Sequence, residues 1–135
     1  NLLLHGAADD IWRLENGELI VVDYKATSKN DKVNINAPWQ RGYKRQIEFY
    51  QWLLRKNGFK VSSTGYFVYC NGRRDLDTFN GRVEFDVDLL PYDGSDDWVE
   101  NTIEKIVTCL NQDNIPEANE NCEQCKYNQE VNQYY

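Results

Sequence analysis

The run Asn16-Gly17-Glu18-Leu19-Ile20-Val21-Val22-Asp23-Tyr24-Lys25 constrains the fold more than any other part of the chain. Asn-Gly readily takes the positive φ angles of a tight turn, so the segments on either side of it are predicted to form a hairpin. Leu19–Lys25 reads as one arm, an apolar strand, and Leu2–Leu14 as the other. The second arm ends in an acid and a base two positions apart. Strand side chains alternate between faces, so Asp23 and Lys25 share a face and Tyr24 points to the opposite one. That arrangement is either a plain ion pair or a small reactive site.

The remaining elements follow from periodicity. Ala26 to Pro38 is polar and without period, a loop. Trp39, Tyr43, Ile47, Tyr50 and Leu54 fall at helical steps over Trp39–Lys56, and Asn57-Gly58 supplies the stop. Val61–Cys70 is a Tyr/Phe/Val-rich strand closed by Asn71-Gly72, and Arg82–Leu90 alternates Val83, Phe85, Val87 and Leu89 with charged residues, so one of its faces is wet. A second helix begins near Ser95-Asp96-Asp97, with Ser95 or Asp96 as its cap and Trp98, Ile103, Ile106, Val107 and Leu110 as its apolar stripe. The segment 111–135 is rich in Asn and Gln and has little to bury. The order strand, strand, helix, strand, strand, helix predicts an α/β fold, a mixed central sheet flanked by helices. At 135 residues the chain suits one domain, with 114–135 as a tail. It opens abruptly inside the first strand, which implies a preceding helix that is missing here and a longer parent chain.

No run reaches the roughly 18 apolar residues of a spanning helix, and no basic segment precedes an apolar one at the N-terminus, so the expectation is a soluble, cytoplasmic protein. The net charge of −7 argues against a polyanionic partner only until it is divided. Between Lys25 and Lys60 stand nine basic residues against two acids, and the rest of the chain holds six basic residues against twenty acids. A chain divided this way can set a basic patch against nucleic acid and stay soluble through its acidic remainder; a merely solvated basic helix surface is the plain alternative.

The first arm carries Gly6-Ala7-Ala8-Asp9-Asp10, an acidic pair across the hairpin from Asp23. Carboxylates on one face of a hairpin repel each other and lose solvation unless a cation lies between them, and a hard divalent ion, Mg2+ or Mn2+, suits such oxygens. A water on that ion becomes a nucleophile, and a lysine beside it can orient the water or stabilise charge developing on a phosphate.

These residues together resemble the PD-(D/E)xK nuclease superfamily, and in particular its RecB-type branch of DNA repair and recombination nucleases. Gly6-Ala7-Ala8-Asp9 is similar to the G-x-x-D strand of that family, Asp23-Tyr24-Lys25 to its D/E-x-K strand, and Gln46-Ile47-Glu48-Phe49-Tyr50 to its Q-x-x-x-Y helix, in the family's order. The resemblance implies a restriction-endonuclease-like core and divalent-metal-dependent hydrolysis of DNA phosphodiesters. It implies Asp9, Asp23 and the Tyr24 carbonyl as metal ligands, Lys25 as the catalytic lysine, and Gln46 and Tyr50 as a pair on one helix face toward the active site. Asp10 competes with Asp9: the G-x-x-D pattern favours Asp9, and strand alternation sends Asp10 to the other face. Arg41, Lys44 and Arg45, one turn before Gln46, are expected to contact DNA phosphates. His5 reads as a strand residue.

The RecB-type branch often ends in C-x-x-C-x-Y, and Cys122-Glu123-Gln124-Cys125-Lys126-Tyr127 matches that core. An iron–sulfur cluster needs four thiolates. No cysteine follows Cys125, and Cys70 and Cys109 read as small buried apolar residues, so neither an iron–sulfur cluster nor Zn2+ is expected at Cys122 and Cys125. The expected partners are DNA and other domains or subunits of a larger nuclease, with no membrane. A catalytically silent DNA-binding or scaffolding module on the same fold, or a protein-binding α/β domain, would carry the same elements without the chemistry.

Overall fold

In the computed structural model, which describes residues 2–76, 78 and 81–134, the hairpin forms around Gly17 at φ +81°. It joins β1 (Asp10–Arg13) to β2 (Leu19–Thr27), antiparallel, with Asp10 opposite Val22 and Arg13 opposite Leu19. A helix, α1 (Arg41–Lys56), then carries the chain to β3 (Thr64–Gly72), which pairs parallel with β2. The last strand, β4 (Phe85–Asp93), returns antiparallel to β3, giving a mixed sheet in the order β1-β2-β3-β4. A parallel pair requires such a crossover, which is why the helix lies between β2 and β3 in the sequence.

All four strand predictions are corrected in extent, the second running on to Thr27 through the start of the expected loop. The partner strand expected over Leu2–Leu14 exists only as Asp10–Arg13, and residues 2–8, His5 among them, run without regular structure. The ladder stops because the Tyr24 N–H donates to the Asp9 carboxylate at 2.9 Å, where a strand carbonyl would otherwise accept it. The third strand begins at Thr64 and not at Val61. Side chains of α1 hold the backbone there: Arg55 donates to the carbonyls of Val61 and Ser62, and Gln51 Nε2 to those of Ser62 and Ser63 at 3.0 Å each. The fourth strand runs on to Asp93 through Pro91, which an edge strand tolerates.

Val21, Phe67 and Tyr69 of the sheet meet Ile47 of α1 and Val33 of the preceding loop in one buried cluster, with Tyr43, Tyr50, Leu54, Leu90 and Tyr92 packed against it. Trp39, expected to open the helix, lies exposed in a 3-10 turn over Pro38–Gln40. Gln40 is buried in its place, accepting from the Ala37 N–H at 2.8 Å and donating to the Asn34 carbonyl at 2.7 Å. Asn57 and Gly58, at φ +85°, end the helix as expected. The alternation in the fourth strand misleads: Phe85, Val87 and Leu89 remain 51%, 63% and 51% exposed, and β4 reaches the core through Leu90 and Tyr92.

The chain divides into two units, Asn1–Glu100 and Asn101–Tyr135, the division falling within α2 (Trp98–Leu110). Just before it, Asp96 forms an ion pair with Arg55 at 2.6 Å, while Ser95 Oγ accepts the Asp97 N–H at 3.3 Å and donates to the Asp97 carboxylate at 2.6 Å. Within the expected tail the second unit forms α3 (Glu123–Val131). No described helix is long and apolar enough to cross a membrane.

Candidate active site

Register and alternation place Asp23 at the centre of the sheet, on the face that α1 covers, where it is 1% exposed. Lys25 follows on the same face, and its Nζ forms an ion pair with Asp23 Oδ2. Both Asp23 oxygens are shut off from solvent, and the Lys25 ion pair aside, neither receives a hydrogen bond from the described residues. Burial raises the Asp23 carboxyl above the ordinary aspartate range against the pull of Lys25, and the neighbouring Asp9 carboxylate pushes the same way. Asp9 is therefore close enough to act on Asp23, and it is anchored there through the Tyr24 N–H.

Asp10 lies on the other face. Its carboxylate accepts from the Tyr24 hydroxyl and the Trp12 indole N–H at 3.0 Å each and from the Ile11 N–H at 2.8 Å. The Tyr24 and Trp12 donors hold its carboxyl below the usual range, and the same bond raises the Tyr24 phenol. The two adjacent acids thus take different partners: Asp9 accepts from the Tyr24 N–H, and Asp10, as alternation expects, turns behind the sheet to the Tyr24 hydroxyl and the Trp12 indole.

The helix contributes a residue that periodicity marked only as core. Lys25 Nζ lies 4.4 Å from the centre of the Tyr43 ring, so the ammonium is held between a carboxylate and an aromatic face. Gln46 and Tyr50 bond to each other, amide to hydroxyl at 3.4 Å, and among the described residues neither bonds to Lys25 or the two acids. Tyr50 instead packs against Gly6: a Cβ on that glycine would sit 2.5 Å from Tyr50 Cε1, so a side chain there would have to displace the ring. Gly6 and His5 also line an apolar cavity of about 340 Å3 beside Tyr50 and Leu54.

Arg41, Lys44 and Arg45 gather elsewhere. They line a second cavity, of about 380 Å3, with Glu48, Tyr92 and Trp98, and it shares no residue with the Asp9–Asp23–Lys25 group. Nothing in their spacing along the helix distinguishes these two destinations, because the partner that decides them, the end of β4, is far away in sequence.

Among the described residues no three His, Cys, Asp or Glu side chains gather to hold a metal ion. Cys122 and Cys125 accordingly stand as a pair; Cys122 Sγ caps α3 by accepting the Cys125 N–H at 3.3 Å, and the Cys125 thiol holds the Cys122 thiol below its ordinary value. The Asp9–Asp23 pair fits a hard cation by its chemistry. The Asp9 carboxylate acts on that of Asp23, and the buried one, beyond its pair with Lys25, has oxygen lone pairs that no described donor fills.

A family model described as the PD-(D/E)XK nuclease superfamily matches residues 1–129. No match was found among curated proteins or among solved structures.

Proposed function

We propose, from the premise that the chain belongs to the PD-(D/E)XK nuclease superfamily, that it hydrolyses DNA phosphodiester bonds with a divalent cation and belongs to the RecB-type branch. Its setting is DNA repair or recombination, or the processing of phage DNA in infection and defence. The observation that carries the reading is the buried, incompletely satisfied Asp23 beside Asp9 and Lys25. A buried carboxylate with one ammonium as its described partner and its other lone pairs unfilled is costly, and sites that bind ions are where such a cost is retained. The Gln46–Tyr50 pair on the helix above and the Cys122–Cys125 spacing support the branch.

Asp9, Asp23 and the Tyr24 carbonyl would hold Mg2+ or Mn2+. When bound, such an ion would supply positive charge to the phosphate oxygens and lower the pKa of a water. Lys25 places its ammonium where negative charge grows on the phosphate, and the Tyr43 ring and Asp23 restrict it to that position. Gln46 and Tyr50 border the site as polar groups facing the strand, and Arg41, Lys44 and Arg45 hold DNA phosphates.

Incubation with linear and circular DNA in Mg2+, in Mn2+ and in EDTA tests this. Cleavage is expected with either ion, abolished by EDTA and reduced at least about a hundredfold in Lys25→Ala. Attack on linear DNA alone would mark an exonuclease. Cleavage that persists in EDTA or in Lys25→Ala would sink the mechanism.

A further inference from the structure

Glu48 lies on α1 one turn beyond Lys44 and Arg45 and two beyond Arg41, and is 8% exposed. Lys44 and Arg45 precede it by four and three residues, the spacings at which opposite charges on a helix meet. Among the described residues, neither forms an ion pair with it. The Tyr92 hydroxyl donates to Glu48 Oε1 at 2.6 Å, and the Trp98 indole N–H to Oε2 at 2.7 Å. The cations lie over the same two rings: Lys44 Nζ is 5.4 Å from the Tyr92 centroid, and the Arg45 guanidinium 5.3 Å from that of Trp98. One buried acid therefore fixes two rings by their polar edges, and the ring faces hold two cations without neutralising them.

We propose that this cavity is a phosphate-binding cradle for a nucleic-acid strand, with Arg41, Lys44 and Arg45 as the contacting cations and Glu48 as the residue that positions them through Tyr92 and Trp98. Three cations outnumber a single acid whose oxygens already accept from two donors, so the cavity selects an anion. Two guanidinium groups favour the paired oxygens of a phosphate. The identity of the anion as a DNA strand rests on the nuclease reading. Because the cavity shares no residue with Asp9, Asp23 and Lys25, the cradle grips a phosphate other than the scissile one.

Binding of a short fluorescent single strand to the full chain, followed by anisotropy in EDTA from about 50 to 300 mM salt, tests the cradle. The double variant K44Q/R45Q is expected to bind at least about tenfold more weakly at low salt, its slope against log salt smaller by about 1.4, the share of two single-strand phosphate contacts. Glu48→Gln gives the decisive sign. Removing a negative charge near an anion tightens binding if Glu48 is a bystander and weakens it several-fold if Glu48 positions the cations. Trp98→Phe, which keeps a ring but loses the N–H, is expected to weaken binding as well, and it carries the same test should Glu48→Gln fail to fold. Tighter binding in Glu48→Gln or in Trp98→Phe, or an unaltered affinity and slope in K44Q/R45Q, overturns the cradle. Wild-type chain that binds in this pattern yet cleaves nothing in Mg2+ would sink the nuclease reading and leave the cradle standing.

Discussion

Two carboxylates are buried among the described residues, and they are satisfied in opposite ways. Asp23 has only the Lys25 ion pair, whereas Glu48 has a neutral donor on each oxygen. The second arrangement is a stabilising one, and its pH dependence follows from Tyr92. Burial and the Glu48 carboxylate push the Tyr92 phenol from an ordinary value of 10 up to about 12. A raised value means that the folded state holds the proton more tightly, so the contribution is full below pH 10 and is lost as the pH rises through about 12. Tyr92→Phe, which strips one donor from a buried carboxylate, is expected to cost about 1–3 kcal/mol near neutral pH. Urea titrations should show the gap between wild type and variant narrowing between pH 10 and 12; a constant gap would mean that the bond contributes nothing. Single residues differ in how far the sequence announces them. The shared face of Asp23 and Lys25 is legible because strand alternation is local, and the same rule sends Asp10 behind the sheet, whereas Asp9, outside β1, is marked only by the G-x-x-D resemblance. Tyr43 and Glu48 look like any other members of α1, since their roles depend on Lys25, Tyr92 and Trp98, which the fold brings to them from other elements.

Among the elements, the β2–α1–β3 unit holds the core and was the most legible, its helix read within two residues of its start and to the residue at its end. The strand limits were misjudged wherever side chains replaced backbone partners: Asp9 ended the first ladder, and Gln51 and Arg55 delayed the third strand. Apolar alternation also failed to say which face of β4 is covered. That failure makes a sharp comparison. Phe67 in β3 is fully buried in the central cluster, so Phe67→Ala is expected to cost about 3–5 kcal/mol. Val87 in β4 belongs to the same apolar alternation but is 63% exposed, and Val87→Thr is expected to change stability by less than about 0.5 kcal/mol. Chemical denaturation of the two variants distinguishes the strands. A large loss at Val87 would show that something covers this face of β4 in solution.

For the molecule as a whole, burial is concentrated in the first unit. Its cluster joins β2, β3 and α1 around Val21, Ile47 and Phe67, whereas no residue from 101 to 134 is buried. Local opening costs little where few apolar groups leave water, so the two units should differ in the free energy at which their amides exchange. Hydrogen exchange followed by mass spectrometry is expected to protect β2, β3 and α1 to near the global stability, while α3 exchanges several orders of magnitude faster. The motifs lie on both sides of this divide: Asp9, Asp23, Lys25, Gln46 and Tyr50 fall in the first unit, and Cys122 and Cys125 in the second. Groups that must be held to fractions of an ångström belong in the protected part, which is where Asp23 and Lys25 are. Equal protection of α3 and β2 would mean that the second unit gains its order from contacts outside itself, and the cysteine pair would then have to be weighed as part of a rigid site.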